Sequence, residues 1–559
     1  MKKRLALILA AMMVFSLFAG CGAEQTPNTP ATPDTPPASD TPQTPNTPAV
    51  DEPLVLRVAT TDTPDTKNPI TTLGMGSKQV YSRQVYEVLF DYDQNLEIVP
   101  ILAKSWEVSE DGLTWTFHLR DDVYWHDGEK FTADDVVYTY KTVKEMELGV
   151  YYSTIGPIHT FEKVDDYTVK FITDAPMVNM VSAMLYIVPE HIFSQYDTVD
   201  KMSAFANEEM IGTGPYKHAD SAAGEYVKYV LNEDYWGELP VIDELIYVFF
   251  ANPDTVVQAF ESGEVDFIEI EPAQLEYVQK LDYAGIHTYD QLGFTEIAFN
   301  CWDDPASNGN PLMLDPQIRS ALDWAIDRDK IIEYAKNGLA TTTVTIIPDS
   351  AGKWHWQPEG DELRTYNPEK AMAQLEAAGY SDRDGDGIRE DANGNKLSFR
   401  FTCMEKHRET GLILQSNWKA IGVETTIEFC DSARQTELVY SENFNTDILI
   451  WGWGVKHDPS YMLFNMTTDA IGGNSDCNYS NPVYDQMYLD QNCEMDEEKR
   501  LQMVHDMQKI IYEDAPYIPL YMEYYVEVYR ADRWEGWQEW PLNNTIMSVY
   551  MLKHVKPVQ

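Results

Sequence analysis

Between Leu113 and Arg120 the chain alternates strictly. Leu113, Trp115, Phe117 and Leu119 stand against Thr114, Thr116, His118 and Arg120, so an extended strand here has one apolar face. The strand is entered from an Asp111-Gly112 turn. Thr132 with Asp135 forms a capping box ahead of Val136, Val137 and Tyr140, which predicts a helix start. Residues 55–59 read as a short strand, and so do 244–250, 265–270 and 296–301. Helical patterns lie between them at 254–262 and, from the cap Asp315 and Pro316, as far as about Gly338. Asn367 and Pro368 open another helix, with Ala371, Met372, Leu375 and Ala378 on one face and Gly379 as its stop. Strands at 397–403 and 425–430 flank a helical stretch, as in βαβ units. The fold class read from these periods is α/β.

One stretch stands apart. Ile448, Leu449 and Ile450 make a strand-length apolar run that ends in Trp451-Gly452-Trp453-Gly454 and then Lys456, His457, Asp458 and Pro459. Small molecules bind at the carboxyl edge of open α/β sheets, so this run reads as the wall of a cleft, or else as two core tryptophans at a turn. Ile211-Gly-Thr-Gly-Pro-Tyr216 lacks a following Gly-Lys-Ser/Thr and opens no apolar helix, which rules out a nucleotide loop. His118 and His126 read as surface positions, because no third metal ligand stands at useful spacing.

At 559 residues the chain expects two or three domains, and 44% hydrophobic content marks it as globular. The 41 basic and 91 acidic residues give a net charge of −50, spread along the chain, which argues against nucleic acid or anionic membrane as partners. The first residues add a different signal. Lys2, Lys3 and Arg4 precede an apolar run and Ala19-Gly20-Cys21, the form of an export signal. With Cys21 directly after Ala-Gly the segment resembles a bacterial lipobox, so residues 1–20 are expected as signal peptide and Cys21 as the lipidated residue. Residues 21–53, rich in Thr-Pro, cannot bury a core and are expected as a tether. Five further cysteines are Cys301, Cys403, Cys430, Cys477 and Cys493; Cys477 with Cys493 is one pairing that export allows.

Several ordered motifs carry a family resemblance: Pro100–Trp106, EDGLTWTFHLRDDVYWHDGEKFTADDVVYTY, IGTGPYK, ESGEVDF, DPQIRSALDWAIDRDKII and NPEKAMAQLEAAGY. From about Leu54 to Arg533 the chain resembles the extracellular solute-binding proteins of family 5, receptors of peptide and nickel ABC importers. The resemblance implies a two-lobed periplasmic-binding-protein-like clamp with an extra subdomain on the first lobe. Lobe I would comprise 54–89, 212–292 and a return at 517–559; the extra subdomain 90–211; lobe II 293–516. It also implies a non-enzymatic, monomeric receptor at the outer face of the membrane, held by lipid alone. Such a receptor captures a peptide between closing lobes and hands it to the permease and ATPase subunits of an importer.

In peptide receptors of this family an Asp three residues before an Asp/Glu-Pro pair anchors the ligand's α-amino group. Here that pair is Asp458-Pro459 and the anchoring position is Val455, which cannot accept from an ammonium. Asp303, Asp304 and Asp458 are the carboxylates considered in its place. Trp451, Trp453, Trp302, Trp354, Trp356 and Tyr461 are expected around the cleft, where flat rings suit peptide side chains or sugars. Asn300 and Asn68 would add amides. An oligosaccharide receptor of the same family, and a secreted hydrolase using two carboxylates, are the rival functions.

No cofactor is required by this reading. Asp382, Asp384 and Asp386 with Gly387 do match the first half of a calcium loop, with Ile388 and Glu390 following and Asn393 at the twelfth position. A structural calcium ion and a solvated Asp-Gly turn are the two readings.

Overall fold

Alternation sets the strands as expected. Trp115, Phe117 and Leu119 are buried on one face of strand Thr114–Leu119, while Thr114, Thr116 and His118 are half-exposed. Gly112 takes the left-handed backbone of the turn, at φ 71°. Thr132 caps helix Ala133–Glu145 and Asp135 completes the box, its Oδ2 accepting from Thr132 N at 2.9 Å. The computed structural model describes residues 52–558, apart from 63, 73–74, 94–96, 149–151, 153–154 and 541–544. The expected signal, Cys21 and most of the tether lie outside the described residues.

Strands Ala103–Val108, Thr114–Leu119, Thr168–Thr173 and Ile158–Asp165 pair in that order into an antiparallel sheet. Its own core gathers Phe117, Phe131, Tyr140 and Phe171. A larger sheet of twelve strands runs through the rest. Its order begins Glu424–Cys430, Ser398–Met404, Ile448–Gly454, Gly293–Phe299, Tyr517–Arg530. It continues Phe267–Ile270, Val55–Thr60, Glu244–Phe249, Tyr226–Leu231, Tyr216–Ala222. Strands Ala284–Asp290 and Ala340–Thr342 also pair with Tyr517–Arg530. Parallel neighbours need crossovers, and helix Arg408–Ala420 supplies one between Ser398–Met404 and Glu424–Cys430. One half of the sheet packs around Ile297, Phe401, Trp418 and Ile450, the other around Leu56, Tyr229, Tyr247 and Phe267. The fold is α/β, two-lobed, with an extra subdomain carrying its own antiparallel sheet.

Three expectations need correcting. The helix from Asp315 ends at Trp324 and restarts at Arg328, capped by Asp327. The break turns Arg328 inward, where Nη2 meets buried Asp323 at 2.7 Å and Pro519 O at 3.0 Å. His126 is a half-buried link: Nε2 lies 2.9 Å from Gly214 O, and Gly212 N donates to Nδ1 at 3.3 Å. Burial pushes its pKa down to about 4, so the ring is neutral. The five described cysteines are free thiols, Cys477 buried and Cys493 exposed. The glycines of 211–216 have a packing cause, since a Cβ on Gly212 would stand 1.9 Å from Val85 O.

Behind the tryptophan strand lies an unusual pair. Glu296 and Asp476 are both fully buried, and their four carboxylate oxygens have no hydrogen-bond partner among the described residues. Trp453, beside Asp476, donates its Nε1–H to Tyr517 Oη at 3.1 Å instead. Burial raises the pKa of both acids, that of Asp476 to about 8, and their mutual repulsion adds to the rise for Glu296. The folded chain therefore holds protons that the unfolded chain releases above about pH 4. Their stabilisation is full below that pH and is lost as pH rises toward 8. Urea unfolding should show stability falling between about pH 5 and about pH 8, by about 1.4 kcal/mol per unit per retained proton. Glu296→Gln should flatten that slope; an unchanged slope would show that the pair is not protonated.

Candidate functional site

Strand Ile448–Gly454 is buried through Ile450 and emerges at Trp451. On one edge it pairs with Gly293–Phe299 along its whole length. On the other edge, pairing with Ser398–Met404 covers Ile448 and Leu449 alone. Gln435 Nε2 then takes Ile450 O at 2.8 Å. Past it, Trp451 to Gly454 have no strand partner on that side among the described residues. A cavity of about 610 Å³ opens along this bare edge. Its other walls are Met404 to His407 and Cys430 to Ser432, the segments that leave the carboxyl ends of two parallel strands. Phe294 and Thr295 complete the floor.

A second cavity of about 260 Å³ adjoins the first and shares Gln291 and Glu523 with it. It lies at the strand ends of the opposite half of the sheet, among Thr60 to Asp62, Glu269 to Glu271, Tyr524 and Tyr525. Asp62, Glu269, Glu271, Glu523 and Glu527 give it a lining rich in carboxyl groups. Glu523 is paired with Lys336, whose ammonium also sits 4.7 Å from the Tyr521 ring. Glu527 is buried, accepts from Thr545 Oγ1 and Ile546 N, and is pushed up to about 8 by desolvation. Glu269 lines this cavity and is exposed to solvent; partial desolvation there, with Asp62 and Glu271 beside it, pushes its carboxyl up to about 7. Buried His407 is pushed down to about 3 by desolvation and by Lys336 and Lys406, so it is neutral.

Trp451 and Trp453 line the larger cavity as expected, and Tyr461 packs edge-on to Trp453 at 6.4 Å. The remaining expected residues go elsewhere. Val455 is buried, its N–H on Leu292 O at 3.0 Å. Asp458 is buried in an ion pair with Arg500 Nη2 at 2.8 Å and also accepts from Ser460 N. Asp303 and Asp304 sit in an exposed loop, where Asp304 holds the turn at Ala306. Trp354 lies under Arg500 at 4.8 Å, and Trp356 packs against Tyr512 at 5.6 Å; both support helix Glu497–Asp514. Trp302 packs on the core below the strand. Asn300 donates to Phe444 O and Thr446 O and accepts from Trp302 N, and Asn68 donates to Met202 O and accepts from Ile70 N. Each amide is consumed in holding loops inside the protein.

The residues missed are Gln291, Glu269, Glu523 and the turns after the strands that end at Met404 and Cys430. For the two turns a signal existed, since both strands were read and ligands gather at carboxyl ends. For the carboxylates no local signal marked them among 91 acids.

Residues 97–474 match the family model described as bacterial extracellular solute-binding proteins, family 5. The oligopeptide-binding protein AppA of Bacillus subtilis is 27% identical over 447 residues, covering 78% of this chain and 80% of the relative. Its solved structure, in complex with a nonapeptide, matches with a TM-score of 0.69 over 91% of this chain and all of that one, at 24% identity. Heme-binding protein A of Haemophilus influenzae is 27% identical over 483 residues, covering 78% of this chain and 82% of the relative. NikZ of Campylobacter jejuni, solved with Ni(L-His), matches with a TM-score of 0.71 at 24% identity, covering 90% and 99% of the two chains.

The Asp458–Arg500 pair gives a direct check on this assignment of roles. Asp458→Ala leaves a buried guanidinium without its carboxylate and should lower unfolding free energy by about 3–5 kcal/mol in urea titration. A loss below about 1 kcal/mol would show that Asp458 is not structural.

Proposed function

The chain belongs to the bacterial extracellular solute-binding proteins of family 5, and on that premise we propose that it captures peptides for an ABC importer. The bare edge of Trp451 to Gly454 along the larger cavity carries this reading. An extended peptide adds to such an edge by main-chain hydrogen bonds, which serve many sequences, while the surrounding walls receive its side chains. The flanking tryptophans cover the ligand's faces without demanding one residue type. The volume is in the range of small-ligand sites, and the adjoining acidic cavity extends it.

With valine at the position that anchors the amine in relatives, the peptide's ammonium goes to the carboxylates of the smaller cavity, Glu269 first. A ligand held by both halves of the sheet at once favours the closed form, and the permease and ATPase subunits read that form. The solute is captured and released with no bond made or broken. Cys21 carries the lipid that holds a monomeric receptor at the outer face of the membrane, and residues 21–53 are its spacer.

Calorimetry of the mature protein with mixed peptides, N-acetylated peptides and oligosaccharides tests the reading. An ammonium binds the ionised form of Glu269, which is half-protonated near pH 7 in the empty cavity. Affinity for free-amine peptides should therefore rise from about pH 6 to about pH 7.5, before the peptide amine itself loses its proton near 8. Acetylated peptides should bind about tenfold more weakly and without this slope, and Glu269→Gln should do the same to free peptides. Acetylation without effect would overturn the amine anchoring. Heat with oligosaccharides alone would overturn the peptide assignment. Cys21→Ala should shift the exported protein from the membrane fraction to the medium in a host without an outer membrane.

A further inference from the structure

The loop between helix Pro368–Ala377 and strand Ser398–Met404 lines neither cavity. It folds around its own acids. Ser381 and Glu390 bridge through Ser381 N to Glu390 O at 3.2 Å and Glu390 N to Ser381 O at 3.1 Å, and Glu390 bridges onward to Lys396. This clamp brings carboxylate oxygens of Asp382, Asp384 and Glu390 within 4.8 Å of one another. Gly385 and Gly387, at φ 79° and 91°, let the chain curl tightly between them.

Glu390 supplies the second observation. It is 4% exposed, its Oε1 accepts from Arg383 N at 2.7 Å, and its Oε2 is buried with no hydrogen-bond partner among the described residues. A buried carboxylate oxygen is left bare only at a cost of kilocalories unless a hydrogen-bond donor or a cation meets it. The ammonium available is that of Lys396, and it is spent on Asp384 (2.9 Å) and Asp386 at the exposed side. Asp382 and Glu390 have no ion-pair partner among the described residues, while Asp384 and Asp386 share the one lysine, leaving charge to be balanced. Asn393, expected at the twelfth position, turns its amide to Asp391 and is no ligand. Glu390, at the ninth position, closes the loop in its place.

We propose that this loop holds a calcium ion through carboxylate oxygens of Asp382, Asp384 and Glu390, with Asp386 and the Ile388 carbonyl completing an all-oxygen shell. Calcium suits a flexible set of hard oxygens, where magnesium demands a tighter octahedron. Lys396 is then the metal's competitor, displaced outward when the ion enters. The ion ties the end of helix Pro368–Ala377 to the start of strand Ser398–Met404.

Titration of the mature protein with calcium chloride, by calorimetry in about 10 mM magnesium, should give one site with Kd on the order of 10⁻⁴ M. Thermal unfolding should rise by several degrees over the same protein in EDTA. Asp384→Asn with Glu390→Gln should remove that heat and that shift, while sparing peptide binding. Lys396→Ala should tighten calcium about tenfold by removing the competitor. No saturable heat in the native protein at millimolar calcium would overturn the site. Loss of stability in Lys396→Ala that calcium fails to restore would overturn it too, by making the lysine itself the permanent cation.

Discussion

The hydrogen-bond ladder of strand Tyr517–Arg530 is the constraint on which the rest depends. Its first residues pair with Gly293–Phe299 and Ala340–Thr342, its last with Ala284–Asp290 and Phe267–Ile270. Both halves of the large sheet are thereby built on one backbone. The strand is buried at residues 517–522 and 526–528 and half-exposed between them at Glu523, Tyr524 and Tyr525, the residues that line the cavities. Near its start Pro519, which has no N–H to give, coincides with a register shift opposite Thr295 and Glu296. The cavities open at the half-exposed part of the strand.

Around that ladder arginines meet the buried aspartates. Asp323 is held by Arg328 and Arg364, Asp458 by Arg500, Asp447 by Arg400 and Asp266 by Arg533. Guanidinium forks satisfy a buried carboxylate and main-chain carbonyls together, as Arg328 does with Asp323 and Pro519. Where no arginine arrives, a carboxyl stays neutral, as with Glu296, Asp476 and Glu527. A chain of charge −50 thus separates its acids into solvated, paired and protonated groups. The cleft adds a fourth group, open to solvent and desolvated in part, and Glu269 is its member with the least local support. That imbalance is what makes the smaller cavity a place for a cationic end of a ligand.

The order of motifs and the periods along the chain determined the α/β class, the two-lobed family fold and the tryptophan wall. These rest on local chemistry: a period of two or 3.6, a cap three residues from its box, a glycine after an apolar run. The same locality misled at Asp458, Asn68 and Asn300, which carry the right groups for a binding cleft. Their partners, Arg500, Met202 and Phe444, lie 42, 134 and 144 residues away, and no spacing rule reaches that far. Tertiary structure alone decided that Glu269, Gln291 and Glu523 meet at one cleft, because sheet order, rather than sequence, sets which strand ends are neighbours. It likewise decided that Glu390, instead of Asn393, closes the acidic loop, since a two-residue bridge to Ser381 sets where that side chain points.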